Sequence, residues 1–155
     1  MPETPVAPSL DGLEGIAGTD LGRSDWVVVS QERIDAFAGA TDDHQWIHTD
    51  VTRARRESPW KETIAHGYLT LAMAPALLNQ LIRVEGSSRT INTGIEKLRL
   101  SSPVVAGSRI RLAASVKHTR RLPHGGVRVV FHLVFEAEGA AKPAAVADVI
   151  YAYFP

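Results

Sequence analysis

Asp43, His44 and His48 fall within six consecutive positions, and a further histidine, His66, stands directly before Gly67. An acid and a histidine five residues apart across a tight loop can both reach one water. That arrangement is what adding water to a carbon–carbon double bond, or removing it, requires. The same spacing also admits a plainer reading, in which Asp43 closes an Asx turn and His48 packs or faces solvent. A third reading takes Asp43, His44, His48 and His66 as metal ligands. The stretch between His44 and His48 carries no helical pattern to set the two rings on one face, and no metal is expected. Gly67 adds a different kind of group. If a helix starts near His66, the Gly67 N–H is an unpaired donor at a positive dipole end, and the missing side chain lets a substrate oxygen come close. Such a donor facing a developing oxyanion is worth about 2.7–4 kcal/mol. The plainer role for Gly67 is close packing of a helix on a strand.

The elements that must position these residues can be read from periodicity and caps. Trp26-Val27-Val28-Val29 suits a short strand. Ser30 stands as an N-cap before a helix over Gln31–Ala40, with Ile34, Phe37 and Ala38 on one face. Asp50 caps a short basic helix over Val51–Glu57, which Ser58-Pro59 ends. Thr63 to Ile82 contains no Asp, Glu, Lys or Arg and is apolar on nearly every face. A helix over 63–83 would be about 30 Å long and would have to pass through the middle of the domain, kinked at Pro75. A membrane span there is disfavoured by His66, Thr70, Pro75, Asn79 and Gln80. From Ser88 onward the period changes to two, giving strands over 92–100, about 109–117, about 127–136 and 146–154. Pro123-His124-Gly125-Gly126 turns a hairpin. Strands grouped after helices predict an α+β fold with an antiparallel sheet wrapped around the long helix, as one domain over 12–155 behind a loose arm over 1–11.

Composition narrows the function. Among 155 residues, 17 Lys and Arg balance 17 Asp and Glu, so no global charge draws the chain to nucleic acid or an anionic membrane. The charges are segregated. Residues 1–50 carry two bases and ten acids, residues 51–128 fourteen bases and four acids, and residues 129–155 one base and three acids. Any anion-binding surface is therefore expected from the middle of the chain. Cysteine is absent, which removes thiolate metal sites, disulfides and cysteine nucleophiles, and fits a cytoplasmic setting. The first residues carry neither the basic start nor the apolar stretch of a secretory signal. The Gly-rich nucleotide loops, the G-x-S-x-G elbow and the H-E-x-x-H zinc pattern are all missing.

Two runs carry a resemblance. Phe37-Ala38-Gly39-Ala40-Thr41-Asp42-Asp43-His44-Gln45-Trp46-Ile47-His48, with Thr63-Ile64-Ala65-His66-Gly67-Tyr68-Leu69-Thr70-Leu71, resembles the MaoC-like dehydratases, most closely their nodulation-protein-N-like branch. Asn92 to Leu100, followed by Ser102-Pro103-Val104-Val105-Ala106-Gly107-Ser108-Arg109, is similar to that branch's strand after the central helix. The likeness spans about residues 20–155. It implies a hot-dog fold, a homodimer joined sheet edge to sheet edge, and R-specific hydration of trans-2-enoyl-coenzyme A or the reverse dehydration. Asp43 and His48 fall on the family's catalytic pair and Gly67 on its oxyanion donor, with His66, Tyr68, Trp46 and Gln45 as candidate substrate contacts. No cofactor is implied, because coenzyme A belongs to the substrate. The chain departs from the family pattern in two respects: Asp42 replaces a common Gly, and Ala72 and Pro75 occupy the positions where a Ser often supports the site.

A thioesterase shares the fold, but its carboxylate would act from the long helix, and residues 63–82 hold no acid. A non-catalytic acyl-thioester binding module is the rival from another class. Partners for the coenzyme A phosphates are sought among Arg53, Arg55, Arg56, Arg83, Arg89, Lys97, Arg99, Arg109, Arg111, Arg120 and Arg121, each of which is also an ordinary solvated surface charge.

Overall fold

The computed structural model describes residues 6–155. Its centre is an antiparallel sheet in which β1 (Asp20–Arg23), β4 (Arg109–Arg121), β5 (Val127–Ala137), β6 (Ala145–Phe154) and β3 (Arg89–Leu100) lie side by side in that order. A two-residue strand, β2 (Val27–Val28), pairs with the start of β4. The alternation in the sequence sets the faces. Ile110, Leu112, Ala114 and Val116 of β4 and Val127, Val129, Phe131, Leu133 and Phe135 of β5 are buried on the concave side. Trp26–Val29 yields only two paired residues. β1 was not legible, because it is short and Gly22 in it has φ +82°.

The helices on the concave side are the main correction to the sequence reading. α1 (Gln31–Thr41) and α3 (Val51–Glu57) form as expected, with the Ser30 hydroxyl accepting from Arg33 N at 3.3 Å and the Asp50 carboxylate from Arg53 N at 2.9 Å. One further turn, α2 (Trp46–Thr49), holds His48. The long helix expected over 63–83 is instead two short ones, α4 (Gly67–Ala72) and α5 (Ala74–Leu78), with a break at Met73. Pro75 has no N–H to offer the Leu71 carbonyl and its ring crowds that turn, so the helix restarts rather than bends. Thr63–Ala65 is not helical, because its backbone is spent on neighbours: Ile64 N donates to Ile47 O at 3.0 Å, Ala65 N to Val104 O at 2.8 Å, and Ala106 N to Thr63 O at 2.9 Å. The helical stretch that the sheet wraps is therefore about 18 Å long rather than 30 Å. No helix among the described residues is long and apolar enough to cross a membrane.

Of the arm expected over 1–11, residues 1–5 lie outside the described residues. From Val6 on it is not loose. Val6 and Ser9 bridge in parallel to Ile82 and Glu85, and Leu10 joins the core. The paired backbone replaces solvation the arm would otherwise need. The core joins Leu77, Leu78, Leu81 and Ile82 to Phe131, Leu133 and Phe135. Replacing Leu77, which is almost fully enclosed, with Ala is expected to lower the unfolding free energy by about 2–5 kcal/mol, read from urea denaturation with an unchanged m-value.

Candidate active site

Three segments converge at the start of α4: the loop after α1, which carries Asp43; α2, which carries His48; and Ile64–Gly67. The loop reverses direction because α1 ends on Asp42 in the left-handed region, φ +59°. That conformation favours glycine, and Asp is among the few other residues that adopt it readily. The fold then locks α2 from two sides. Gln31 Nε2 donates to the His48 backbone carbonyl at 2.8 Å, and the Gln31 side-chain Oε1 accepts from the Thr63 hydroxyl, so α1 ties His48 to the segment before α4. Gln31 gave no signal in the sequence, since its partners lie 17 and 32 residues away.

The two imidazoles are held by backbone carbonyls. His48, 7% exposed, places Nδ1 2.6 Å from Ile64 O. A carbonyl can only accept, so Nδ1 carries the proton and Nε2 keeps a free lone pair. His66, 3% exposed, donates from Nε2 to the Asp43 carbonyl at 3.0 Å and stacks on His48 with ring centroids 3.8 Å apart. Phe37 lies against its edge, 5.0 Å between centroids. Burial pushes the His48 pKa down; the Ile64 hydrogen bond opposes this, His66 adds to it, and Asp43 opposes it, leaving the net direction downward. His48 is therefore neutral at neutral pH and offers Nε2 as a base.

Asp43 satisfies the plain and the chemical reading together. Its Oδ1 accepts from Gln45 N at 3.4 Å, as an Asx turn would, while Oδ2 lies 3.9 Å from His66 Nε2. The side chain is 53% exposed. One carboxylate oxygen of Asp43 and one ring nitrogen each of His48 and His66 lie within 4.8 Å of one another. At that spacing a single water can bridge the Asp43 carboxylate and an imidazole. The stacking bears on the metal reading. Two near-parallel rings 3.8 Å apart offer their lone pairs side by side, so an ion at about 2.0–2.1 Å from both would sit well out of at least one ring plane. His44 is exposed and lies outside this cluster.

A cavity of about 230 Å³ opens beside the pair, walled by His48, Ile64, Gly67, Thr70, Leu100 and Val104. Gly67 is the first residue of α4, and its N–H donates to no acceptor among the described residues. A Cβ there would overlap the Leu100 side chain, so glycine also permits this close approach. On α4 the hydroxyl bordering the cavity is that of the buried Thr70, with Ser101 and Ser102 bordering it from the loop after β3; neither Ala72 nor Pro75 lines it.

The remaining expected contacts divide. Tyr68 is 69% exposed and faces the seam between α4 and β3. His66 is buried against His48 and is absent from the cavity wall. Trp46 is half-buried beneath the Arg53 guanidinium, 4.3 Å from the ring centroid, and is absent from the cavity wall. Gln45 is exposed and caps α2, its carbonyl accepting from His48 N at 2.9 Å. Of the basic residues, Arg53, Arg55, Arg56, Arg109, Arg111 and Arg121 are paired with acids. Arg83, Arg89, Lys97, Arg99 and Arg120 have no acidic partner among the described residues, and Arg99 stands next to Leu100 of the cavity.

Comparison with known proteins follows the same lines. The family model described as a MaoC-like domain matches residues 13–130. The chain is 44% identical over 145 residues to 3-hydroxyacyl-thioester dehydratase Z of Mycobacterium tuberculosis, covering 94% of this chain and 95% of the relative. It is 35% identical over 141 residues to nodulation protein N of Rhizobium leguminosarum bv. viciae, covering 90% and 88%. In fold it is similar to the unliganded R-hydratase of Pseudomonas aeruginosa, with a TM-score of 0.69 at 23% identity over 94% of this chain and 85% of that one. With a helical stretch wrapped by an antiparallel sheet and a match over most of its length, the chain belongs to the MaoC-like dehydratase family and is a hydro-lyase of the hot-dog fold.

Proposed function

We propose that this chain catalyses the reversible R-specific hydration of trans-2-enoyl-coenzyme A to 3-hydroxyacyl-coenzyme A. The observation that carries the reading is the pairing of Asp43 with His48 within 4.8 Å, beside the unpaired N–H of Gly67. Asp43 accepts one hydrogen of a water and orients it. His48 Nε2 removes the other proton as the water oxygen bonds to C3, and the displaced electrons move through C2 onto the thioester oxygen, where Gly67 N–H donates to the developing charge. The imidazolium then returns its proton to C2 on the face from which it came. The enolate's C1–C2 π electrons form that C–H bond while an oxygen lone pair re-forms the carbonyl, and one water has been added across the double bond. Dehydration runs the same steps backward. The names of the dehydratase and hydratase relatives support an acyl-thioester substrate, and the cysteine-free composition supports a cytoplasmic setting.

The working unit in this proposal is a homodimer. β3 is an edge strand twelve residues long, paired only to β6, and it exposes Ile91, Ile95, Leu98 and Leu100 beside Tyr68. An apolar open edge of that length invites a second copy to pair with it. Arg99, on the same strand, is the proposed partner of a coenzyme A phosphate.

Following the loss of enoyl absorbance with crotonyl-, hexenoyl- and dodecenoyl-coenzyme A tests the reaction. Asp43→Asn and His48→Ala are each expected to lower kcat/KM by about 10²–10⁴-fold while acyl-coenzyme A binding is retained; a fully active Asp43→Asn protein would remove the mechanism and favour a binding module. The acid limb of kcat/KM is expected to have its midpoint below 6.5, because the active form has His48 neutral and its pKa is depressed. The same depression has a stability consequence. The unfolded chain takes up this proton more readily than the folded one, so the His48 contribution to stability is intact above 6.5 and is lost as the pH falls below it. In sedimentation, the native chain should run as a dimer and Ile95→Arg as a monomer; a wild-type monomer would count against the edge pairing.

A further inference from the structure

The seam between β3 and the two short helices holds two more cavities beyond the one beside His48. The nearer, of about 340 Å³, is walled by Tyr68, Leu71, Ala74, Ile95 and Val149, and the farther, of about 560 Å³, by Asn79, Ser87, Thr90 and Tyr153. They share Pro75, Asn92 and Tyr151. Along α4 and α5 the order from Gly67 to Pro75 runs from the proposed reaction centre to this shared wall, eight residues or about 12 Å. An extended acyl chain advances roughly 1.25 Å per bond, so this depth corresponds to roughly the tenth carbon.

Tyr151 stands in the wall the two cavities share, beside Pro75 and Asn92. It is 4% exposed, and its hydroxyl has no hydrogen-bond partner among the described residues. A buried hydroxyl without a partner is costly and is normally satisfied. Its ring is fixed edge-on to Phe131 at 5.5 Å and stacked near Tyr153 at 6.4 Å between centroids. Burial pushes its pKa up to about 12, so it keeps its proton and can donate throughout the working range. A plain hydrocarbon tail would leave that donor unpaired; an oxygen on the tail would satisfy it.

We infer that Tyr151 selects acyl chains that carry an oxygen atom at this depth, so that the preferred substrates are enoyl or 3-hydroxyacyl thioesters with a hydroxyl or carbonyl oxygen near the tenth carbon. The inference rests on the proposed acyl-thioester reading of the site and names its substrate class. The far cavity, bordered by Asn79, Ser87, Thr90 and Asn92, continues the polar surroundings beyond Tyr151 and leaves room for the tail past the oxygen.

The test is calorimetric binding of saturated probes, which need no turnover: octanoyl-, decanoyl- and dodecanoyl-coenzyme A against their ω-hydroxy counterparts. The hydroxylated chain is expected to bind about fivefold to tenfold more tightly at the matching length, and Tyr151→Phe, which keeps the ring contacts, to abolish that preference while plain-chain binding stays within about twofold. No preference at any length in the wild type, which needs no variant to fold, overturns the inference, as does a preference that survives Tyr151→Phe. Enoyl hydration that persists without the preference defeats only the assignment of Tyr151. A preference that persists without hydration of any enoyl thioester upholds Tyr151 and defeats the hydratase reading.

Discussion

The bond from His48 Nδ1 to the Ile64 carbonyl governs the chemistry of the site. At 2.6 Å it fixes the ring and its tautomer at once, and so determines that the other nitrogen presents a lone pair. Ile64 can serve as this anchor only because its segment is extended and bridged to Val105 rather than helical. His66 completes the arrangement from behind, stacking on His48 and drawing the Asp43 backbone inward through its carbonyl. His66 therefore contacts both Asp43 and His48 and holds them in register. Burial of His48 makes the neutral ring the stable one, so the folded state prepares a base at a pH where a free imidazole is partly charged.

The break in the helical segment links the fold to the shape of the groove. A continuous helix over 63–83 would have consumed the backbone groups that now pair Thr63–Ala65 with Ile47, Val104 and Ala106, and His48 would have lost its acceptor. Gly67 sits where the extended run becomes helix, which leaves its N–H unpaired, and Pro75 sits where the second helix begins, at the wall shared by the two deeper cavities. The apolar face of the helices is buried against the sheet, while the side toward β3 stays open along its length. The same short segment thus packs into the core on one side and borders cavities on the other.

The outer face of the sheet carries a second polar cluster with a different role. Asp148 is buried there, accepting from Lys117 Nζ and His132 Nδ1, each at 2.7 Å. Burial alone would raise its pKa, but the hydrogen bonds from Lys117 and then His132 outweigh it and hold the carboxyl below its ordinary value. The carboxylate is therefore favoured by folding above the ordinary Asp range, and this contribution fades as the pH falls through it. His132 and Asp148 face each other across β5 and β6, so the cluster stitches neighbouring strands together.

Features set by a few adjacent residues were legible in the sequence: the Ser30 and Asp50 caps, the period-two strands, the hairpin turn, and the run from Asp43 to His48 with its later His-Gly. Alternation and capping depend on chain neighbours, so they survive without knowledge of the fold. What the tertiary structure alone decided lies at longer range. His48 meets Ile64 across 16 residues, Gln31 meets His48 across 17, and His66 meets Asp43 across 23. The composition of Thr63 to Ile82 suits a buried helix, and only competition from two distant backbone segments, at Ile47 and at Val104–Ala106, made its first residues extended. The same limit hid the unpaired hydroxyl of Tyr151. Alternation places that residue on the inner face of β6, but whether a polar atom finds a partner depends on everything folded around it.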